Sequence, residues 1–486
     1  MTHNKLTPCA LAVAAALLAL APAAMAQSNE DLLKELRALR QRVDDLETKL
    51  KAVPAAKPGG SAAAGAAGAA AGAEWGMTPQ QVQDFNRIAV KTEALEDAVE
   101  SQGLKTLKIS GFIDPSYIWN KNQQRAGFQL LNRVSDDGYN YDNSYFGLAA
   151  IDFQKEMEGG IKWRLTLMPN RGAGAITDFG GNSIVHEASV SVPLGDLQTR
   201  FIAGQIPDWS GYEYVQPTLT KLVTRGLLLD FTEPTAYTGA GMELVRDKWN
   251  IKWLLANFNS TKQAAKERTP VLAYRVDYAR GEFQGFGFAG VHGKVANFRA
   301  GGGNPVSGLA YDTANTMLNL FEADAYFIRG DFTWQGQVGV GGQKRAAITA
   351  DATTGELRDS RWAGVSTLLA YKFIPRWEAV ARLDYIKNDK NGGGLLGYSV
   401  ADNRNGLGPD ASLACDPAVA GNAAGCDKGA NRTALAVGVN YLLNLNTVIK
   451  TEYRFDRASQ PVFFDVATGG YRKSNQLLGA SVVVSF

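Results

Sequence analysis

From residue 103 to the end, the chain repeatedly alternates apolar and polar side chains with period two. In 160–168, Ile161, Trp163, Leu165 and Leu167 fall on one side, and Lys162, Arg164 and Thr166 on the other. In 376–387, Trp377, Ala379, Ala381, Leu383 and Tyr385 oppose Glu378, Arg382 and Asp384. In 446–457, Ile449, Thr451, Tyr453 and Phe455 oppose Lys450, Glu452, Arg454 and Asp456. Such segments predict sixteen strands: 104–119, 143–156, 160–168, 184–194, 197–206, 237–246, 248–258, 270–280, 283–294, 320–329, 331–343, 361–373, 376–387, 431–442, 446–457 and 475–486. Each has about the length of a tilted membrane-crossing strand.

The connections sort into two kinds. Those after even-numbered strands are tight, as at Glu158–Gly160, Gly195–Asp196, Asp247–Lys248 and Arg329–Gly330. Those after odd-numbered strands are long and polar, with 207–236 and 388–430 the longest. Short turns at one end and long loops at the other mark an outer-membrane barrel, and a soluble sandwich needs no such asymmetry. A soluble barrel would also turn its apolar face inward, whereas so many charges around so wide an array fit the wall of a wet lumen. Tyr117, Trp119, Trp249, Trp377 and Tyr441 stand near strand ends, where interfacial aromatics belong.

Ahead of the strands the period changes. Leu36, Val43 and Leu50 occupy one core position of a heptad and Leu32, Leu39, Leu46 and Val53 the other, so 27–53 is predicted as a self-associating coiled coil, ended by Pro54. The alternative is one helix lying on the protein's own surface. Residues 54–77 read as an Ala/Gly/Pro-rich linker and 78–102 as a short helix opened by Thr78-Pro79. Residues 1–26 read as a secretory signal: Lys5, an apolar run from Leu11 to Leu20, and Ala24-Met25-Ala26 before the cut. No later run is long enough for a transmembrane helix. Export suits a disulfide between Cys415 and Cys426, with two free thiols as the alternative.

Composition removes other functions. The 486 residues hold 50 basic and 48 acidic side chains, so no broad positive field exists to bind nucleic acid. Three histidines, one of them in the signal, leave little for a metal cluster or a catalytic triad, and neither metal nor cofactor is expected. The sequence holds no nucleophile elbow, Walker loop or His-Glu-x-x-His helix. His186 and His292 read as wall or interface residues, and the chain reads as no enzyme.

The last strand is the most specific local signal. Leu478, Ala480, Val482, Val484 and the final Phe486 share one face, which looks like the signal read by the bacterial barrel-assembly machinery. With this ending, the strand region resembles the sixteen-stranded trimeric porins of Gram-negative bacteria. With its coiled coil ahead of the barrel, the chain is similar to DcaP-type porins, and its opening strand Leu107–Tyr117 is similar to theirs and to that of phosphate-selective porins. The expectation is an all-β transmembrane barrel of about sixteen antiparallel strands at 103–486, preceded by an α-helical coiled coil in the periplasm. The resemblance implies a homo-oligomer (a trimer) in outer-membrane lipid, passing small hydrophilic solutes, with anions preferred.

In such porins the third long loop folds into the lumen. Here that loop carries Asp208, Glu213, Lys221, Arg225, Asp230 and Glu233, and strand parity places Arg164, Arg200, Lys252 and Arg275 on neighbouring walls. Two readings stand side by side. Basic walls face acidic loop residues across the constriction and set up a transverse field, or the charges pair and brace the loop. A non-conducting structural or adhesive barrel above a coiled-coil stalk is the other functional reading.

Overall fold

The computed structural model describes residues 87–88, 90–91, 106–131, 146–169, 177–178, 181–182, 184–261, 267–312, 314–396, 408–413 and 426–486. The chain divides into two compact units, Met1–Leu95 and Glu96–Phe486. In the first, Arg87, Ile88, Val90 and Lys91 are helical. The expected signal, coiled coil, linker, nearly all of the second helix and Cys415 lie outside the described residues. Cys426 is buried and disulfide-bonded.

The second unit is a closed antiparallel barrel. Its eighteen hydrogen-bonded segments make sixteen staves, because the first two staves are each broken in two. Stave β1 comprises Leu107–Ile113 and Ser116–Asn120, and β2 comprises Arg125–Gln129 and Ala149–Glu156. There follow β3 (Lys162–Leu167), β4 (Val185–Leu194), β5 (Asp196–Pro207), β6 (Ala236–Arg246), β7 (Trp249–Phe258) and β8 (Val271–Ala279). The second half holds β9 (Gln284–Ala296), β10 (Asn315–Arg329), β11 (Phe332–Gln343) and β12 (Ser360–Ile374). It closes with β13 (Trp377–Lys390), β14 (Arg432–Asn444), β15 (Thr447–Ala458) and β16 (Ser474–Ser485). The alternation of polar and apolar side chains fixes this register, since a one-residue slip would turn every side chain to the opposite face.

The break in β1 falls at Asp114-Pro115, where proline lacks the N–H that a ladder needs. The Asp114 amide turns to the carbonyl of Leu148, and the Pro115 carbonyl accepts from Val482. The seam then closes: Phe112 pairs with Ser485, while Phe486 and Gly111 exchange both backbone hydrogen bonds. A Cβ on Gly111 would lie 2.5 Å from the Ala150 carbonyl oxygen and 2.6 Å from the Phe486 ring, so the seam requires glycine there. Phe486, Val484 and Val482 all point outward.

Polarity is inverted relative to a soluble barrel. The outward row of β10 and β11 exposes Met317, Phe321, Val338 and Val340, while the same staves bury Glu322, Asp324 and Gln337. Leu383 and Tyr385 are exposed on β13 beside buried Arg382 and Asp384. Lys450, Glu452, Arg454 and Asp456 of β15 are all buried. Charges fill the interior and hydrocarbon covers the outside, as a lipid-embedded wall requires.

Candidate functional site: the lumen loop

The connection from β5 to β6, residues 208–235, lies inside the barrel. Its two ends meet where the Asp208 amide donates to the Thr235 carbonyl at 3.0 Å. A single turn of helix, α1 (Leu227–Phe231), presses Leu227, Leu228 and Phe231 into an apolar cluster with Leu254, Leu320, Trp362 and Ile386. Wall glycines make room for it. A Cβ on Gly364 would sit 2.9 Å from Leu228 Cδ1, and one on Gly438 would sit 2.8 Å from Leu222 Cδ2.

Charge holds the rest of the loop down on β12–β15. Arg382 is fully buried. Its guanidinium donates to Glu213 Oε1 (2.7 Å), the Thr224 carbonyl (2.9 Å), Thr224 Oγ1 (3.1 Å) and Asp384 Oδ2 (3.0 Å). Glu452 accepts from the amide and hydroxyl of Thr224, at 2.8 and 2.5 Å. Lys450 Nζ donates to the carbonyls of Pro217 and Thr220, both at 2.6 Å. Lys221 pairs with Glu378 at 2.6 Å, and Arg454 donates to the Arg225 carbonyl at 2.8 Å. Tyr212 and Ser366 share a 2.6 Å hydrogen bond, and Ser366 donates to Asp384. Arg432, paired with Asp456, lies between the Phe231 and Phe463 rings at 5.4 and 5.2 Å.

Titration in the loop follows from this burial. Desolvation pushes the Glu213 carboxyl up, against the pull of Arg382, and pushes Arg225 down. At the loop's root, burial raises Asp208 to about 6 despite hydrogen bonds from Tyr237 and Ser210. Burial, then the neighbouring carboxylates Glu322 and Asp208, push Glu233 well above its ordinary range, although Gln337 donates to it.

The opposite wall, β2–β8, keeps water-accessible charge. Arg164, with a side chain 40% exposed, lies between Asp152 (2.9 Å) and Glu187 (3.2 Å). Lys252, 30% exposed, pairs with Glu243 at 3.4 Å. Arg275 is held between Asp277 (2.7 Å, 34% exposed) and Asp324 (2.5 Å). The loop's Tyr214 is 46% exposed, and Gln216 meets His186 at 3.1 Å. Arg200 lies apart, bonded to Ser191 and to the Gly160 carbonyl at the short-turn end.

The structure thus brings Glu213, Lys221 and Arg225 together with the β12–β15 wall, groups Asp208 and Glu233 at the loop's buried root, and buries Asp230 on α1, where its charge acts on Arg225. Arg164, Lys252 and Arg275 stand on the other wall, each already engaged by carboxylates. The loop's anchors on the wall, Glu378, Arg382, Lys450, Glu452 and Arg454, are lumen-facing by sequence parity, but nothing in their spacing says where a loop will land. Among the described residues no group of three His, Cys, Asp or Glu side chains could hold a metal ion.

The model of a family described as "Protein of unknown function (DUF3138)" matches residues 3–486. No curated protein matches the sequence. Among solved structures the chain is similar to OmpT of Vibrio cholerae expressed in the outer membrane, at 10% identity and TM-score 0.47, covering 78% of this chain and 97% of that one. It is similar to the anion-selective porin of Comamonas acidovorans, at 11% identity and TM-score 0.47, covering 78% and 99%. It is also similar to OmpF of Salmonella typhi in complex with daunomycin, at 11% identity and TM-score 0.45, covering 78% and 97%.

Proposed function

The chain belongs to the DUF3138 family, and we propose that it is an outer-membrane porin in which small hydrophilic solutes diffuse past a constriction made by loop 208–235. One observation carries this reading: the loop buries Arg382, Asp384, Arg454 and Asp456 of one wall, whereas Arg164, Lys252 and Asp277 of the facing wall stay open to water. Arg382 is fully buried, whereas Arg164 and Asp277 keep 40% and 34% of their side-chain surface. A purely structural barrel has no need to keep a charged, hydrated half-wall inside.

The anion preference implied by resemblance finds no excess of cations here, since Arg164 and Arg275 each face two carboxylates. The reading is therefore weak selectivity, tilted to cations. On this reading residues 1–26 are the signal peptide, the heptad of 27–53 is a self-associating periplasmic coiled coil, and the barrel works as a homo-oligomer, a trimer. Liposome swelling with sugars of increasing size tests the channel: entry of mono- and disaccharides with a sharp cut-off above them supports it.

The second reading, an occluded structural or adhesive barrel, draws on the apolar cluster around α1. Ile348, Leu395 and Leu396 from other connections join that cluster inside the barrel. A folded barrel whose liposomes admit no sugar would select this reading.

A further inference from the structure

We propose that the outer face of β9–β13, at its long-loop end, binds the phosphate-bearing headgroup of an anionic lipid. The inference rests on the outer-membrane placement above. Registration across these staves puts outward-facing side chains in rows. Phe321 and Val340 are direct partners in one row, both exposed hydrocarbon. Two residues further along, His292, Asn319, Gly342, Arg361 and Lys390 follow one another as direct partners on five successive staves. The step beyond adds Lys294, directly opposite Met317, whose carbonyl accepts the Lys344 amide. The surface thus changes from hydrocarbon to cations within a few residues of strand, as at the boundary between acyl chains and headgroups.

The row is also notched. Gly342 contributes no side chain between Asn319 and Arg361, and a cleft of about 370 Å³ opens there. Its apolar floor is Phe321 and Val340, and its charged and polar rim is His292, Lys344, Asp359 and Arg361. His292 is fixed in place, its ring stacked on Tyr274 and its Nδ1 3.0 Å from Asn319 Oδ1. Lys294 and Lys344 have carboxylate partners, Glu267 and Asp359. Among the described residues no carboxylate lies within ion-pair distance of Arg361 or Lys390. Asp359 offsets one of the two rim cations, Lys344 and Arg361, so the rim keeps one positive charge in surplus beside an acyl-sized notch, with Lys390 adding another along the row. Such a surface is complementary to a phosphate on a lipid and to neither a neutral headgroup nor a free sugar.

The test uses full-length folded protein in detergent micelles, titrated with bisphosphorylated lipid A, with its dephosphorylated form and with inorganic phosphate, and read by native mass spectrometry. Lipid A is expected to bind and its dephosphorylated form is not. The double variant Lys344→Gln/Arg361→Gln is expected to weaken lipid A binding roughly thirty-fold. Asn319→Trp, which fills the notch without removing charge, is expected to weaken it as well. Both variants should keep wild-type channel conductance, because the row faces away from the lumen. Equal binding of the two lipid forms would overturn the proposal, and so would inorganic phosphate competing at millimolar concentration. A change of oligomeric state in the variants with lipid binding intact would reassign the row to a second copy of the chain. Absence of conductance with phosphate-dependent lipid binding intact would count against the porin reading alone.

Discussion

Arg382→Gln isolates what holds the loop in place. The substitution removes the charge that serves Glu213 on the loop and Asp384 on the wall, and leaves both carboxylates buried. Removing one partner of a buried ion pair costs about 3–5 kcal/mol. The barrel's ladders do not depend on this residue, so the cost falls on docking of the loop. At ~1.4 kcal/mol per tenfold, the undocked population should rise by roughly two to three and a half orders of magnitude. A cysteine at Leu222, only 1% exposed in the native chain, reports undocking through its rate of labelling by a water-soluble maleimide. That rate should rise by a similar factor in Leu222→Cys/Arg382→Gln over Leu222→Cys alone, with single-channel conductance rising too. Neutralising the cluster as a whole, with Glu213→Gln, Arg382→Met and Asp384→Asn together, should label more slowly than Arg382→Gln alone, since no buried charge is orphaned. Unchanged labelling in Arg382→Gln would refute the claim that this network docks the loop.

Three further outcomes follow from the same geometry. Asp208 binds its proton more tightly in the folded chain (about 6) than at the ordinary 3.8, so its contribution to loop docking is complete below about pH 4 and is lost as pH rises through 6. Hydrogen exchange of 208–235, corrected for intrinsic rates, should therefore be slower at pH 4.5 than at pH 7, and Asp208→Asn should flatten the difference. Gly111→Val should open the β1–β16 seam and abolish the heat-modifiable folded band on gels, whereas Val338→Ala on the outer face should not. Gly364→Leu should expel Leu228 and raise Leu222→Cys labelling without unfolding the barrel.

The staves were legible in the sequence because lipid outside and water inside impose one alternation on every crossing. Trp163 and Leu165 against Lys162 and Arg164 state that rule within four residues. The breaks were less legible. Asp114-Pro115 carries a signal in its proline, but the insertion splitting β2 at 130–148 depends on which partner each half-strand finds. The loop's entry into the lumen came from resemblance to porins, and its docking partners from neither source. Arg382 and Glu213 are 169 positions apart, and only closure of the barrel brings them within 2.7 Å. The pairing of Arg164 with Asp152 and Glu187 was hidden for a different reason: these lie on adjacent staves, and parity gives the face of a residue but not the register that sets its cross-strand neighbours.

The most direct test of the central claim is single-channel recording of mature protein in a planar bilayer under a salt gradient. The account predicts stepwise currents in groups of three, with a reversal potential showing weak cation preference. A folded barrel that inserts and passes no current would contradict it.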